Sequence, residues 1–131
     1  MRFKITITTI IILLVSLILG CASSSIIITG NIRPAIDPSE VMLFLDYPSK
    51  YETIGMVEAS SDIEISSQAA MDRVINELKK QAAKIGANGL ILLNTGTDSN
   101  VATGVSLSGD YYTSTSETKI AQAKVIYIIK E

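Results

Sequence analysis

Few side chains in this 131-residue chain could carry out chemistry. The sequence holds one cysteine, Cys21, and no histidine, so the base that usually activates a serine or cysteine nucleophile is absent. Zinc sites built from histidine and cysteine are excluded for the same reason. The acidic residues between Asp46 and Glu64 follow no calcium-loop pattern. Two of them could serve glycoside hydrolysis, but carboxylates around a strand and a turn usually only keep a surface solvated. We therefore expect no catalytic residue, no metal site and no cofactor, and we predict that the chain is not an enzyme.

The surroundings of Cys21 favour a modification instead. Arg2 and Lys4 precede an apolar run that ends at Gly20, a small residue directly before Cys21. A basic start, an apolar stretch and a small residue at the cleavage point are the parts of a secretory signal peptide. The ending from Ile18 to Cys21 is similar to a bacterial lipobox, whose thiol receives a diacylglyceryl group before the leader is removed. We predict cleavage between Gly20 and Cys21, with S-diacylglyceryl and N-acyl (palmitate) groups on Cys21.

An uncleaved membrane anchor is the alternative interpretation of the leader. Its apolar run, residues 5–19, is shorter than the roughly 20 residues that cross a bilayer, so it would have to include the threonines at its start. Ala22 bears on the destination of a lipidated chain, because aspartate at that position retains lipoproteins in the inner membrane of enterobacteria-like envelopes. We predict a lipid-anchored protein of the bacterial cell envelope, with the periplasmic face of the outer membrane favoured if the cell is Gram-negative.

Size and charge limit what the mature chain can be. Without residues 1–20 it has 111 residues, enough for one small domain, and 9 basic against 13 acidic side chains, a net charge of about −4. An acidic domain has no electrostatic reason to bind nucleic acid, so membrane attachment is expected to come from the lipid on Cys21. We divide the chain into a leader (1–20), the lipidated cysteine with a tether (21–32), and a single domain (33–131).

The pattern of apolar residues in that domain predicts an α+β fold. Compact or alternating apolar runs at 26–29, just before that domain, and at 41–45, 51–59, 90–93 and 119–129 indicate strands. Between the third and fourth of these, an apolar stripe at three- and four-residue steps over residues 68–85 predicts one amphipathic helix, which Gly86 would end in a left-handed conformation. One helix can cover one face of a small, mainly antiparallel sheet.

Residues 94–118 are rich in glycine, serine and threonine, and we assign them as an irregular segment, either a mobile loop or a wide hairpin. The alternation of Val101, Thr103, Val105 and Leu107 favours some strand, and the polar context predicts that Tyr111 and Tyr112 are exposed. The strands 41–45 and 90–93 are apolar on both sides, so the face of the sheet without the helix also needs a cover. We expect residues 94–118 to fold over it through Val101, Val105 and Leu107. A homo-oligomer is the alternative cover.

Two stretches of the chain resemble a known group of proteins. One is Pro48 to Gly55, which contains Tyr-Glu-Thr-Ile-Gly, and the other is Leu78 to Leu90, which contains Ala-Ala-Lys-Ile-Gly-Ala-Asn-Gly. Both resemble a pattern shared by a group of small uncharacterised bacterial lipoproteins. More distantly, residues 51–93 are similar to the YbjQ-type domain and to the Rcs stress-sensor lipoprotein of the outer membrane. The Rcs sensor domain is stapled by disulfides, which a chain with one cysteine lacks, and the resemblance brings no catalytic residues.

These observations lead to two functional expectations. The first is a non-catalytic interaction module, either structural or envelope-sensing, whose partners are other envelope components. The second is a small-ligand or ion-binding module that uses an acidic, tyrosine-rich surface formed by Asp46, Tyr47, Tyr111 and Tyr112.

Overall fold

The computed structural model describes residues 22–129, so the leader, the predicted cleavage site and the predicted lipidation site at Cys21 lie outside the described residues. The chain forms five strands and one α-helix, with a short 3₁₀ turn at Pro38–Glu40. In chain order these are β1 (Ala22–Ile28), β2 (Met42–Phe44), β3 (Tyr51–Asp62), α1 (Ser67–Lys84), β4 (Gly89–Val105) and β5 (Tyr111–Ile128).

The five strands form one sheet in the order β1-β3-β5-β4-β2. All neighbours are antiparallel except β2 and β4, which run parallel. The helix packs on one face, where its stripe of Val74, Leu78 and Ala82 meets buried side chains of β3 and β5, including Val57 and Val125. The α+β class predicted from the sequence is confirmed.

Local sequence explains where α1 begins and ends. The side chain of Ser66 accepts a hydrogen bond from the backbone N–H of Ala69 at 3.1 Å, which satisfies a donor that the first turn leaves free. After the helix, Gly86 has a φ of 71°, the left-handed conformation in which glycine ends helices. A side chain there would collide with backbone, because a Cβ would lie 2.5 Å from the carbonyl oxygen of Pro34.

The connection between β2 and β3 covers part of the second face, the one without the helix. Since β2 lies at one edge and β3 beyond β5, residues 45–50 must cross β4 and β5. Tyr47 marks the crossing, because its ring centroid is 5.1 Å from Nζ of Lys124 in β5. On this face Ile91 and Ile126 are buried. The expectation that residues 94–118 would provide this cover is wrong, because those residues pair with each other in a hairpin. The strand order that brings residues 45–50 across the face was not evident from the sequence.

The predicted tether is also corrected. Strand β1 begins at Ala22, and each of its seven residues pairs with β3, from Ala22 opposite Ser61 to Ile28 opposite Gly55. The side chain of Ser24 further donates to Glu77 of α1 at 2.9 Å. Serine has modest strand propensity, but the neighbouring strand offers hydrogen bonds to any backbone, and this tertiary pairing overrides composition. The folded domain thus includes residues 22–28, so the boundary predicted at residue 33 is wrong.

Of the two alternatives for residues 94–118, the hairpin is confirmed, and it is regular. Strand β4 continues to Val105, and β5 begins at Tyr111, so the two form a hairpin paired without interruption from Asn94 opposite Gln122 to Val105 opposite Tyr111. This continuous pairing compensates for Gly96 and Gly104, which weaken β4.

Candidate functional site

The acidic residues that the sequence groups between Asp46 and Glu64 do not form a cluster. Glu58 accepts a hydrogen bond from Gln122 on the second face, and Asp62 accepts one from Thr118 at 2.8 Å near the end of β3. Within residues 22–129, no group of three or more histidine, cysteine, aspartate or glutamate side chains is placed to hold a metal ion.

Glu52 lies on the helix side and is part of a structural contact. Arg33 donates to its carboxylate at 2.7 Å and places its guanidinium 3.9 Å from the ring centroid of Tyr127. The hydrogen bond and the positive charge of Arg33 hold the pKa of Glu52 below its ordinary value. The arrangement attaches the segment between β1 and β2 to the sheet and leaves no reactive group free.

The four residues of the predicted ligand surface are not brought together. Tyr47, with Asp46 beside it, lies over the second face near Lys124 and stacks against Tyr51, with the ring centroids 6.1 Å apart. Tyr111 and Tyr112 begin β5, 12 to 13 residues before Lys124, which is about 40 Å along an extended strand. A single small-molecule site cannot include both ends.

The described residues do form an open groove of about 700 Å³ at the end of the sheet where α1 stops. Its titratable side chains are Glu40 and Tyr127, which do not make an acid–base pair with a nucleophile. The groove is lined by Ile36, Glu40, Met42, Gly86, Asn88, Tyr127 and Ile129.

The most distinctive surface is at the opposite end. The last pair between β3 and β5 joins Asp62 to Thr118, and beyond it only β4 and β5 continue. We call residues 99–117 the hairpin arm. Because β2 pairs with β4 only at residues 89–91, both outer edges of the arm lack a neighbouring strand in the described sheet. Such edges can accept a further strand, and most proteins block them for that reason, so open edges mark a candidate contact surface.

The tip of the hairpin arm is an ordered turn. The backbone N–H of Ser106 donates to the carbonyl of Asp110 at 2.8 Å, and that of Gly109 donates back to Ser106 at 2.9 Å. Gly109 supplies the positive φ of 88° that the turn requires. The side chain of Ser108 donates to the carboxylate of Asp110 at 2.9 Å. These bonds hold Leu107 at the apex, where its side chain is fully exposed.

The two faces of the hairpin arm differ in character. The opposite face is built from small residues and one aromatic: the ring of Tyr112 lies against the space where Gly104 would carry a Cβ. An aromatic ring over a cross-strand glycine compensates for the glycine's missing side chain. On the helix side, the exposed large apolar side chains lie towards the tip, and the one charged residue, Glu117, lies at the base of the arm. The helix-side residues are Ser99, Val101, Thr103, Val105, Tyr111, Thr113, Thr115 and Glu117.

Sequence reasoning found some of this surface and missed the rest. The alternation of Val101, Thr103 and Val105 indicated a strand, and Tyr111 and Tyr112 stood out as exposed. The pairing of these two runs as a hairpin could have been predicted from the Ser-Leu-Ser-Gly-Asp turn between them, because equal numbers of strand-forming residues flank it. The separation of the two tyrosines from Lys124 and Tyr47, about 40 Å along β5, depends on strand order.

Comparison with known proteins supports the fold. No protein-family model and no curated protein matches the chain. The chain is similar to the crystal structure of the Francisella virulence factor FvfA in its orthorhombic form, with a TM-score of 0.50 and 19% sequence identity. The likeness covers 80% of this chain and 98% of that one. At this identity it shows a shared fold. Among residues 22–129, no helix is long and apolar enough to span a bilayer.

Proposed function

We propose that this chain is a lipid-anchored protein of the bacterial envelope that acts through contacts with other envelope components, and that the hairpin arm is its contact surface. The sequence supports the anchor through the basic start, the apolar run and the Gly20–Cys21 pair. The observation that carries the contact role is the arm itself, which extends past the rest of the sheet and exposes Val101, Val105, Leu107, Tyr111 and Tyr112.

An arm of this kind contributes little to the stability of the domain that carries it. Its side chains are exposed, so their burial does not stabilise the fold, whereas ordering the backbone costs about 1–2 kcal/mol per residue. Exposed apolar and aromatic side chains on a rigid element are the usual anchors of an interface. The absence of histidine and the scattered carboxylates of the described residues support contact over catalysis.

The anchor is tested by labelling cells with a palmitate analogue. Wild-type protein is expected to incorporate the label and to stay with membranes at high pH. Cys21→Ser is expected to keep its leader and lose the label. Cys21→Ser protein that still incorporates the label would contradict the lipobox interpretation.

The contact surface is tested by placing a photoreactive amino acid at Tyr111 in living cells. The matched control is Asn76, an exposed residue on the middle of α1. We expect adducts with an envelope component, protein or lipid, from position 111 and few from position 76. Equal labelling from both positions would mean that the arm is not a preferred contact.

A further inference from the structure

We propose that the hairpin arm lies along the surface of the membrane that holds the lipid anchor, with its helix-side face towards the lipid. This inference rests on the proposed function, because it requires an acylated Cys21, and it names the partner of the arm. The arm would give the protein a second membrane contact beside the acyl chains.

The first support is the position of the chain entry. Ala22, the residue after Cys21, pairs with Ser61 in β3. Ser61 pairs with Lys119 in β5, and Lys119 pairs with Thr97 in β4. These four residues form one row across the sheet, which spans about 15 Å at the usual strand separation. The arm starts two residues beyond this row and projects away from the core, so the base of the arm and the entry of the chain share one end.

The second support is the distribution of exposed apolar side chains. Of the large apolar side chains among the described residues, the three most exposed are Leu107, Tyr111 at 85% and Ile65 at 84%. Ile65 follows the end of β3 and lies two residues before α1 begins, so it belongs to this same end of the sheet. Nearby, the backbone N–H of Ile63 donates to the carbonyl of Glu117 at 2.8 Å, which fixes this segment against the base of the arm.

The length of the arm decides its orientation. From Thr97 to Val105 there are eight steps, which is about 26 Å at 3.3 Å per residue. Because Ala22 directly follows the acylated position and is already part of the sheet, no slack separates the domain from the headgroups. An arm pointing straight down would pass the middle of a hydrocarbon core about 30 Å thick. Its unpaired strand edges and the carboxylates of Asp110 and Glu117 exclude that path. The arm must lie along the interface.

Side-chain chemistry selects the face and the kind of lipid. Towards the tip the helix-side face presents two valines, a tyrosine and threonines, which suit the boundary between headgroups and acyl chains, while Glu117 on the same face lies at the base of the arm. The arm contains no lysine or arginine, and its charged residues, Asp110 and Glu117, are acidic. Attraction to anionic headgroups therefore cannot hold it, and binding is expected on zwitterionic lipid. A contact of a few side chains is weak alone, but the anchor raises its effective concentration.

The chain has no tryptophan, so one introduced residue provides a fluorescent reporter without background. The test uses full-length, acylated Leu107→Trp protein in phosphatidylcholine vesicles, with bromine-labelled lipid as one quencher and aqueous iodide as the other. The matched control is Ile129→Trp, at the far end of the sheet and also exposed. We expect lipid quenching to be roughly twofold or more stronger at position 107, because indole settles at the headgroup level, and iodide quenching to be weaker there.

A second pair of variants tests the face. Val105→Trp lies on the helix side, and Ala102→Trp lies on the other, so lipid quenching should be stronger at 105. Vesicle flotation reports on the anchor separately: if the variants do not float, the proposed anchoring has failed. If they float but iodide reaches position 107 as freely as position 129, the membrane contact is refuted. Protection from iodide without lipid quenching, growing with protein density, would mean that a second copy covers the arm and would equally refute it.

Discussion

Arg33 lies over the ring of Tyr127, with 3.9 Å between the guanidinium carbon and the ring centroid. The same guanidinium donates to Glu52 at 2.7 Å, so one side chain joins the segment between β1 and β2 to both β3 and β5. The segment also donates from the backbone N–H of Arg33 to Ile85 and from that of Ile36 to Ala83, each at 3.0 Å. The first bond satisfies a carbonyl that the end of α1 leaves free, and the second adds to the bond that Ala83 already accepts from the backbone N–H of Gly86.

The Arg33–Glu52 contact should make part of the stability depend on pH. Arg33 lowers the pKa of Glu52 from its ordinary value of 4.5. The carboxylate therefore contributes its full stabilisation above about pH 4.5 and loses it as the pH falls through the lower pKa of the folded state. In Glu52→Gln this part of the acid loss should disappear. Thermal unfolding of residues 22–131 between pH 3 and 7 measures it.

Arg33→Met provides the matched variant, because it removes the cause of the shift. The two single variants should remove the same part of the pH dependence, and the double variant should remove no more than either. A Glu52→Gln protein with the acid dependence of the wild type would show that the contact does not stabilise the fold.

Gly86 should tolerate substitution far less than a glycine in open space. Gly86→Ala places a Cβ 2.5 Å from the carbonyl of Pro34 in a backbone with φ of 71°, so we expect a loss of more than about 1 kcal/mol. Gly96→Ala is the control, since a Cβ there meets nothing within 4 Å, and it should change stability by less than about 0.5 kcal/mol. Urea unfolding of both variants decides, and equal losses would contradict the close approach at Gly86.

Ser66 should contribute through the start of α1. Removing its side-chain oxygen leaves the N–H of Ala69 without this partner, so Ser66→Ala is expected to cost about 1 kcal/mol. Ser67→Ala changes the same group one residue later, inside the helix, and should be close to neutral or slightly favourable. Chemical denaturation compares the two. A larger loss at Ser67 would place the cap elsewhere.

The core should fold without the hairpin arm. Replacing residues 99–117 by Asn-Gly closes a tight turn after Asp98 and before Thr118, which face each other across the hairpin. Because residues 45–50 cover part of the second face and the arm extends beyond it, the shortened protein should stay monomeric by light scattering and keep its unfolding temperature within a few degrees. Aggregation, or a large fall in that temperature, would show that the arm covers apolar surface after all.

Local patterns predicted most elements but not their arrangement. The helix over residues 68–85 agrees with Ser67–Lys84, because its stripe, cap and glycine stop all act within a few residues. The short strand at Met42–Phe44 was expected from its apolar run, yet its parallel pairing with β4 was not. Pairing depends on contacts between distant residues, which the order of apolar residues in one strand does not encode.

The candidate site shows the same limit. The exposure of Tyr111 and Tyr112 could be predicted from the polar residues around them. Their distance from Tyr47 could not, because it depends on which segments cross which face of the sheet. The serines after Cys21 were assigned to a tether from their composition. They form a strand because they pair with β3, some 35 residues later in the chain, which local sequence does not show.

Strand β5 is the last strand of the chain and lies in the middle of the sheet. Without it, β1 pairs only with β3, and β2 only with β4, so no strand pairing joins these two parts of the sheet. A chain that emerged in sequence order would keep these two strand pairs apart until β5 had followed, so β5 would set the moment at which the sheet closes.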